Sequence, residues 1–303
     1  MNINPYFLYF IEKLIHYFMK SKYIIILLLL VANLSLTGQN NIFQSDKLKK
    51  IWELSDLDVP ECVLPVPEKE ILYVSNIGSM SSDKKENNGF ISLLGIDGSI
   101  IDLKWITGLN SPKGMALYGN YLFVTEVDRV SKIDIQSGEK VKSYPVAGAV
   151  FLNDIAVDRS GILYITDSRT GTIHRLHNDT ITVLLKSDAF PSPNGIITVE
   201  ERILVGTGKK VISIDSKTLE VRDCLLNTGS VDGLAMIEPD VFLFSDWPGR
   251  IHIMRKEGEK ELLLDTTGSQ TLKTADFGYN PNVDRLYVPT FFGNSVVCYE
   301  LNY

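Results

Sequence analysis

The sequence predicts an all-β protein, a six-bladed β-propeller whose ring is closed by an N-terminal strand that pairs with the last blade. Three observations lead to this fold: an apolar pattern that repeats six times, short strands that fill each repeat, and strand-like segments at both ends that complement each other. The chain has 303 residues, of which 45% are apolar and 22% charged, which is ample for a large folded domain.

Each repeat begins with a five-residue segment, whose first residue we call its anchor. These segments are Glu61–Pro65, Lys113–Leu117, Asn153–Val157, Asn194–Thr198, Asp232–Met236 and Ala275–Tyr279. A second apolar segment starts nine to eleven residues after each anchor: Leu72–Ser75, Leu122–Thr125, Leu163–Thr166, Ile203–Gly206, Phe242–Ser245 and Leu286–Pro289. The anchors are 52, 40, 41, 38 and 43 residues apart, and a period of about forty is typical of propeller blades.

Two further strands complete most repeats. The predicted third strands are Gly89–Leu94, Val130–Ile135, Gly171–Leu176, Lys210–Asp215, Arg250–Met254 and Ser295–Leu301, and the clearest fourth strands are Ile101–Ile106, Lys140–Tyr144, Thr180–Leu185 and Glu261–Asp265. Short strands separated by Gly, Asp and Asn turns indicate four-stranded blades.

The two ends of the repeat array predict how the ring closes. The sixth repeat stops after its third strand, whereas Leu48–Leu54 is an extra strand that precedes the first anchor. Pairing of this strand with the last blade would remove the open edge between the first and last blades. We therefore expect a single domain over residues 41–303.

The N-terminal residues predict export. An apolar run, Tyr23–Ala32, follows the basic stretch Met19–Lys22 and precedes a polar stretch, as in a secretory signal peptide. A membrane anchor is the rival interpretation, but the run is about half the length of a spanning helix. We expect residues 1–38 to be a signal peptide with cleavage before Gln39, a true start at Met19, and a periplasmic or extracellular mature protein with no stable membrane span.

Charge and cysteine content exclude several classes of function. The formal net charge is −7, so the broad basic surface of a nucleic-acid-binding protein is missing. Three cysteines form neither a disulfide framework nor a zinc-binding spacing. An acidic protein of this kind suits a small-molecule ligand or a cation.

The anchors predict a cation site. In a propeller the first strand of each blade lines a central channel, so the six anchors converge at one end of it, which we call the mouth. Four anchors, Glu61, Asn153, Asn194 and Asp232, carry the oxygen ligands that Ca²⁺ prefers. Turn formation is the alternative explanation of the Asn and Asp residues, but it does not explain Glu61. Lys113 would be repelled by a dication, so we expect it to contact a substrate anion or a carboxylate away from the metal.

The loops between second and third strands should reach the same mouth. They contain Trp247, Phe291 and Phe292, which would form an apolar wall beside the polar anchors, as in a small-molecule pocket. Packing between blades is an equally good explanation of these aromatics. No nucleophile elbow is present, and His174 and His252 lie in predicted third strands, so a nucleophilic triad is not expected.

The anchor motifs resemble the senescence marker protein/gluconolactonase (regucalcin-like) family of six-bladed propellers over essentially the whole mature chain. The resemblance implies one divalent cation, often Ca²⁺ with Zn²⁺, Mg²⁺ or Mn²⁺ as alternatives, held by Glu61, Asn153, Asn194 and Asp232. It also implies that Asp232 is the general base, and that Asn153 contacts substrate as well as metal. Phe151 stands where many sugar lactonases of the family have an arginine, which favours a less polar substrate.

These observations predict an exported, monomeric, cation-dependent hydrolase of the lactonase or esterase kind that acts on a small molecule. The expected site comprises Asp232 as catalytic residue, the four cation ligands, and Lys113, Asn153, Trp247, Phe291 and Phe292 as substrate-binding residues. The alternative is a non-catalytic propeller that binds a ligand or a protein and carries a structural calcium. Fold alone does not choose between them.

Overall fold

The structure, a computed structural model, describes residues 42–255 and 258–303 together with Glu12, Lys13 and His16. The chain divides into two compact units, Met1–Asn41 and Ile42–Tyr303. Apart from those three positions, the predicted signal peptide over residues 1–38 lies outside the described residues, as do the predicted start and cleavage site. No helix in the described part of the chain is long and apolar enough to cross a bilayer.

The second unit is built of strands. Two of them, β1 (Phe43–Gln44) and β2 (Leu48–Leu54), precede the first blade. Blade 1 contains β3 (Pro60–Val66), β4 (Ile71–Asn76), β5 (Gly89–Gly95) and β6 (Ile100–Leu109); blade 2 contains β7 (Met115–Tyr118), β8 (Tyr121–Thr125), β9 (Arg129–Asp134) and β10 (Glu139–Pro145). Blade 3 contains β11 (Leu152–Val157), β12 (Leu163–Asp167), β13 (Thr172–His177) and β14 (Thr180–Lys186).

The remaining blades follow the same plan. Blade 4 contains β15 (Ile196–Val199), β16 (Arg202–Gly206), β17 (Val211–Asp215) and β18 (Val221–Leu225); blade 5 contains β19 (Leu234–Glu238), β20 (Val241–Asp246), β21 (Arg250–Arg255) and β22 (Lys260–Asp265). Blade 6 contains β23 (Gly278–Asn280), β24 (Arg285–Pro289) and β25 (Val296–Leu301). Short 3-10 turns lie at Pro67–Lys69 and Phe291–Gly293.

The blades form the predicted six-bladed propeller. Within each blade consecutive strands pair antiparallel in chain order, and the first strands of neighbouring blades contact one another around most of the ring. These six inner strands, β3, β7, β11, β15, β19 and β23, therefore surround the central channel, and the fourth strands lie on the outside of their blades, except in blade 5, where β1 lies outside β22.

The core lies between blades. In β4, Leu72 and Val74 pack with residues of blade 6 such as Tyr287, whereas Tyr73 packs with residues of blade 2 such as Leu122. Successive side chains of a strand point to opposite faces, and both faces of a blade are covered by its neighbours. This burial on both sides explains why the second segment of each repeat is apolar throughout rather than alternating.

The outer strand of blade 6 comes from the N-terminal side of the chain. Strand β2 pairs antiparallel with β25, from Leu48 opposite Leu301 to Leu54 opposite Val296. Trp52 holds this strand in place, because its ring packs 5.8 Å from that of Tyr287 and its Nε1 donates a hydrogen bond to the Ile96 carbonyl at 3.1 Å. The sequence did not predict β1, which adds a short fifth strand to blade 5 by pairing with β22.

Candidate functional site

Hydroxyl side chains of the second strands hold the starts of the inner strands. The Ser75 hydroxyl accepts a hydrogen bond from the Cys62 amide at 3.0 Å, that of Thr166 from the Asp154 amide at 3.0 Å, and that of Ser245 from the Gly233 amide at 2.8 Å. In each case the donor is the residue that follows an anchor. The Ser or Thr that ends the apolar segment in these three repeats therefore fixes the backbone from which an anchor side chain projects.

Glu61 is a buried carboxylate without a complete set of partners. Glu61 is only 6% exposed, and its Oε2 has no hydrogen-bond partner among the described residues. Burial raises the pKa of Glu61 well above its usual range, the charge of Asp232 raises it further, and the charge of Lys113 opposes both. Burial of a carboxylate oxygen without a hydrogen-bond partner is unfavourable unless a positively charged group lies near it.

Asn194 and Asp232 are brought together from neighbouring blades. The Asn194 Nδ2 donates to the Asp232 Oδ1 at 2.8 Å. Burial raises the pKa of Asp232 to about 7, with the Asp154 charge as the next contribution and the Asn194 hydrogen bond acting against it. The contact also orients the Asn194 amide so that its carbonyl oxygen is turned away from Asp232.

Asn153 lies in β11, and its Nδ2 donates to the Ser168 hydroxyl at 3.2 Å. Ser168 in turn donates to the Pro193 carbonyl at 2.7 Å, next to Asn194. A hydroxyl in the loop after β12 thus connects the two predicted amide ligands. The sixth anchor, Ala275, offers only its backbone carbonyl, which accepts a hydrogen bond from Ser245 at 2.8 Å.

Lys113 is a buried cation near these groups. It is 1% exposed, its Nζ donates to the Ser111 carbonyl at 3.0 Å, and the same atom lies 4.5 Å from the Phe151 ring centroid. Burial lowers the pKa of Lys113 to about 8, and Glu61 is the carboxylate that opposes this shift most. Glu61, one of the predicted cation ligands, is therefore the opposite charge that acts most strongly on Lys113.

Two carboxylates that the sequence analysis overlooked, Asp154 and Asp276, lie one residue after an anchor. The signal for them was present: most repeats have a small residue after the anchor, whereas blades 3 and 6 have Asp. Each Asp packs against the glycine of the preceding blade. A Cβ on Gly114 would meet Asp154 Oδ1 at 2.2 Å, and one on Gly233 would meet Asp276 Oδ1 at 3.1 Å.

These two carboxylates differ in their partners. Asp154 accepts hydrogen bonds from the amides of Ile155 at 2.7 Å and Ile196 at 2.9 Å, while burial raises its pKa to about 7. Asp276 interacts with the thiol of Cys62, and burial followed by the Asp154 charge raises its pKa well above the usual range.

Several polar residues at the predicted mouth serve the backbone. Glu126 Oε2 accepts a hydrogen bond from the Asn110 amide at 2.6 Å, and Asp167 accepts from the Val150 amide at 2.9 Å. Asp246 Oδ1 accepts from the Gly249 amide at 3.1 Å. These carboxylates fasten the loops between second and third strands and so shape the mouth.

The three predicted wall aromatics form one cluster across blades 5 and 6. Trp247 lies 4.5 Å from Phe291 and 6.0 Å from Phe292, edge to face, and the two phenylalanines are 4.7 Å apart in the same manner. Phe291 is buried in a small core that includes Val59 and Ala275, so it packs between blades. Trp247 is 40% exposed and offers the accessible face of the cluster.

The loop over residues 77–88 of blade 1 reaches its neighbours at this end of the ring. Asp83 pairs with Arg169 of blade 3 at 3.0 Å, and Lys85 pairs with Asp128 of blade 2. The Ser111 hydroxyl donates to a carbonyl of the same loop, at Lys84, at 2.8 Å. Arg169 also lies 4.5 Å from the Phe151 ring, so two cations, Lys113 and Arg169, contact one aromatic side chain.

The fit of a cation to the predicted ligands rests on Glu61 and on the Asn194–Asp232 pair. The orphaned Glu61 oxygen and the raised pKa values of Glu61 and Asp232 both indicate buried negative charge that is incompletely balanced. Within the described ranges, no group of three or more His, Cys, Asp and Glu side chains is arranged to hold a metal ion. A cation here would therefore need the amide oxygens as well as the two carboxylates, which is the oxygen-rich set that suits Ca²⁺.

Below the anchors the channel contains a cavity of about 860 Å³. It is lined by residues of all six inner strands, with Cys62, Asp154 and Asp276 nearest the anchors. Its other end is lined by Glu68, Arg159 and Glu200, which are exposed and belong to turns between first and second strands. The cavity thus reaches the face of the ring opposite the mouth.

Comparisons with known proteins support the fold. No protein-family model matches the chain, and no curated protein matches it. Among solved structures it is similar to a streptogramin B lyase, with 14% identity, a TM-score of 0.61, and coverage of 86% of this chain and 98% of that one. It is also similar to a chain of a nidogen/laminin complex, with 14% identity, a TM-score of 0.57, and coverage of 80% and 88%.

A third similar structure is a catalytically inactive virginiamycin B lyase from Staphylococcus aureus with quinupristin. Its identity is 14%, its TM-score 0.56, and the match covers 84% of this chain and 99% of that one. At these identities the likeness establishes the propeller architecture, which in these proteins accompanies both a lyase and a protein complex.

Proposed function

We propose that this protein is an exported, divalent-cation-dependent hydrolase of the lactonase or esterase kind that acts on a small molecule at the channel mouth. The observation that carries the proposal is the buried Glu61 oxygen without a partner, beside the paired Asn194 and Asp232. Glu61, Asn153, Asn194 and Asp232 would hold the cation, with Ca²⁺ as the first candidate.

The bound cation would polarise the substrate carbonyl. Asp232 would accept the proton of the attacking water as general base, the role that the family resemblance implies for it. Asn194 would keep the Asp232 carboxylate in a fixed orientation through its hydrogen bond.

Lys113 would bind the acyl oxygen or an anionic group of the substrate. Its ammonium is buried and has one hydrogen bond to Ser111, so further donors remain for a ligand. Asn153 would contact the substrate from blade 3. Trp247 and Phe292 would supply an apolar surface for the rest of the molecule, with Phe291 packed beneath them.

The test is hydrolysis of a panel of lactones and aryl esters by the mature protein, with Ca²⁺ and with a chelator. We expect chelation to abolish turnover, and Glu61→Gln and Asp232→Asn to weaken Ca²⁺ binding by about tenfold or more and turnover by about a hundredfold. The control variants Glu139→Gln and Asp102→Asn remove carboxylates from exposed positions on β10 and β6. They should change neither Ca²⁺ binding nor turnover. Incorporation of oxygen from isotopically labelled water into the product acid would separate hydrolysis from elimination.

A second candidate is a binding propeller with a structural cation. It is favoured by the exposed Trp247 on its aromatic cluster and by Lys113, whose charge near Glu61 competes with a cation. If chelation lowers the melting temperature while no substrate of the panel is turned over, this second candidate replaces the first. Export has a separate test: the mature protein recovered outside the cytoplasm should begin near Gln39.

A further inference from the structure

The lower channel is a site that the mouth chemistry does not use. Its volume of about 860 Å³ falls in the range of small-molecule pockets. The mouth residues Glu61, Lys113, Asn194 and Asp232 are not among the residues that line it. The cavity is therefore a candidate binding site distinct from the proposed reaction site at the mouth.

The wall of the lower channel is an apolar ring. Each inner strand contributes at least one apolar side chain that lines the cavity and stays half-buried, among them Leu64, Leu117, Val157, Ile197, Met236 and Tyr279. Side chains that pack on their blades and still line open space provide a surface for an apolar ligand. We call these six residues the channel ring.

The inner end of the same cavity is acidic. Both oxygens of Asp154 already accept backbone hydrogen bonds, whereas Asp276 interacts with the Cys62 thiol, which is a weak donor. Arg159 is the only basic residue that lines the cavity in the described part of the chain, and it lies at the exposed outer end with Glu68 and Glu200. Among the described residues, Asp276 thus lines the cavity with no basic side chain beside it at this inner end.

From this arrangement we propose that the lower channel binds a small organic cation, a primary ammonium with an unbranched apolar chain. The ammonium lies against Asp276 at the inner end, and the chain lies along the channel ring. An ammonium donates hydrogen bonds to the Asp276 carboxyl oxygens and stabilises its ionised form, which a neutral apolar molecule cannot do, and an anion would be disfavoured beside two acidic side chains. A bare metal ion would leave the channel ring in contact with water, so charge and apolar surface together select the amphiphilic cation.

Calorimetric titration of the mature protein with n-butylammonium, n-pentylammonium and n-hexylammonium, in the presence of chelator, tests the proposal. We expect one site per chain and an affinity that rises about threefold to fourfold with each methylene, from about 0.8 kcal/mol per buried CH₂. Hexanol should bind at least about tenfold more weakly and hexanoate not at all, because neither offers a positive charge. Equal binding of hexanol and hexylammonium, or no saturable binding of any alkylammonium, would overturn the proposal.

Variants locate the site. Asp276→Asn keeps the size of the side chain and should weaken hexylammonium binding by about tenfold or more, whereas Asp102→Asn, the same change on the exposed strand β6, should not. Ile197→Trp fills the channel from its wall and should abolish binding with Asp276 intact, provided that its melting temperature shows a folded protein.

Affinity of Asp276→Asn within threefold of the unmodified protein would contradict the assignment to Asp276. Retained binding in Ile197→Trp would contradict the assignment to the lower channel. Since Trp247→Ala alters only the mouth cluster, it should leave hexylammonium binding unchanged, so this proposal and the proposed hydrolase stand or fall separately.

Discussion

Blades 3 and 6 follow the same repeat but are completed and used differently. Blade 3 is one continuous stretch of chain from β11 to β14, whereas blade 6 takes its outer strand, β2, from the other end of the domain. Both blades have Asp after the anchor, and both second strands contain Leu-Tyr, at Leu163 and Leu286. Structural features that the two blades share follow from the repeat, and features in which they differ follow from individual residues.

The clearest difference is the role of the aspartate. Strand β11 has a bulge between Leu152 and Ile155, and Asp154 accepts the Ile155 amide there and the Ile196 amide of blade 4. Among the described residues, the Asp276 side chain has no comparable backbone partners; its own backbone amide and carbonyl pair with Glu61 and Val63 of blade 1. The same residue at the same position thus joins two blades in one case and faces the channel in the other.

The largest expected effect is on closure of the ring. Deletion of residues 41–56 removes β2, exposes the edge of β25 and takes Leu48 and Trp52 from their packing. We expect loss of cooperative unfolding and of the folded circular dichroism spectrum. Deletion of residues 41–44 removes only β1 and serves as the control. If the longer deletion leaves the melting temperature unchanged, β2 does not hold the ring closed.

The next effect tests the two aspartates directly. Asp154→Ala leaves two buried amides without acceptors and should lower the free energy of unfolding by about 2 to 4 kcal/mol. Asp276→Ala removes no backbone partner and opens onto the cavity, so we expect a loss below about 1 kcal/mol. Urea unfolding of both variants measures the difference. Equal losses would mean that the hydrogen bonds of Asp154 do not distinguish the two blades.

The smallest effect concerns the third strands. His174 of β13 lies opposite Ile165, as Val297 of β25 lies opposite Val288, so His174→Val gives blade 3 the residue of blade 6. The His174 Nε2 is buried without a partner among the described residues, and removing it should stabilise the protein by about 1 kcal/mol at pH 7.5. Denaturant unfolding checks the sign, and a destabilised variant would contradict the prediction.

The pH dependence adds a second measurement on the same position. Burial lowers the pKa of His174, so the folded protein resists protonation and its stability falls as the pH drops below the usual histidine range. The advantage of His174→Val should therefore widen between pH 7 and pH 5. His174→Gln keeps a polar side chain without a titrating group; it should share the flatter pH dependence but not the gain at pH 7.5.

The repeat, the blade number and the positions of β2 and β25 could be predicted from sequence because they depend on local apolar pattern. The anchors could be predicted too, since four polar residues recur at one phase. Two interactions could not be predicted: the hydrogen bond between Asn194 and Asp232, and the electrostatic interaction between Glu61 and Lys113. Both depend on how neighbouring blades are rotated relative to each other. Asp154 and Asp276 were missed because their type alone does not distinguish a backbone acceptor from a channel-facing acid.

The pairing of β2 with β25 also sets an order of events during synthesis. The two strands are separated by about 250 residues of chain, which take on the order of ten to fifty seconds to translate. Until β25 emerges, β2 has no partner in its own domain and is a free strand edge on the nascent chain. Completion of blade 6, and with it the ring that frames both ends of the channel, therefore waits until β25 has been synthesised.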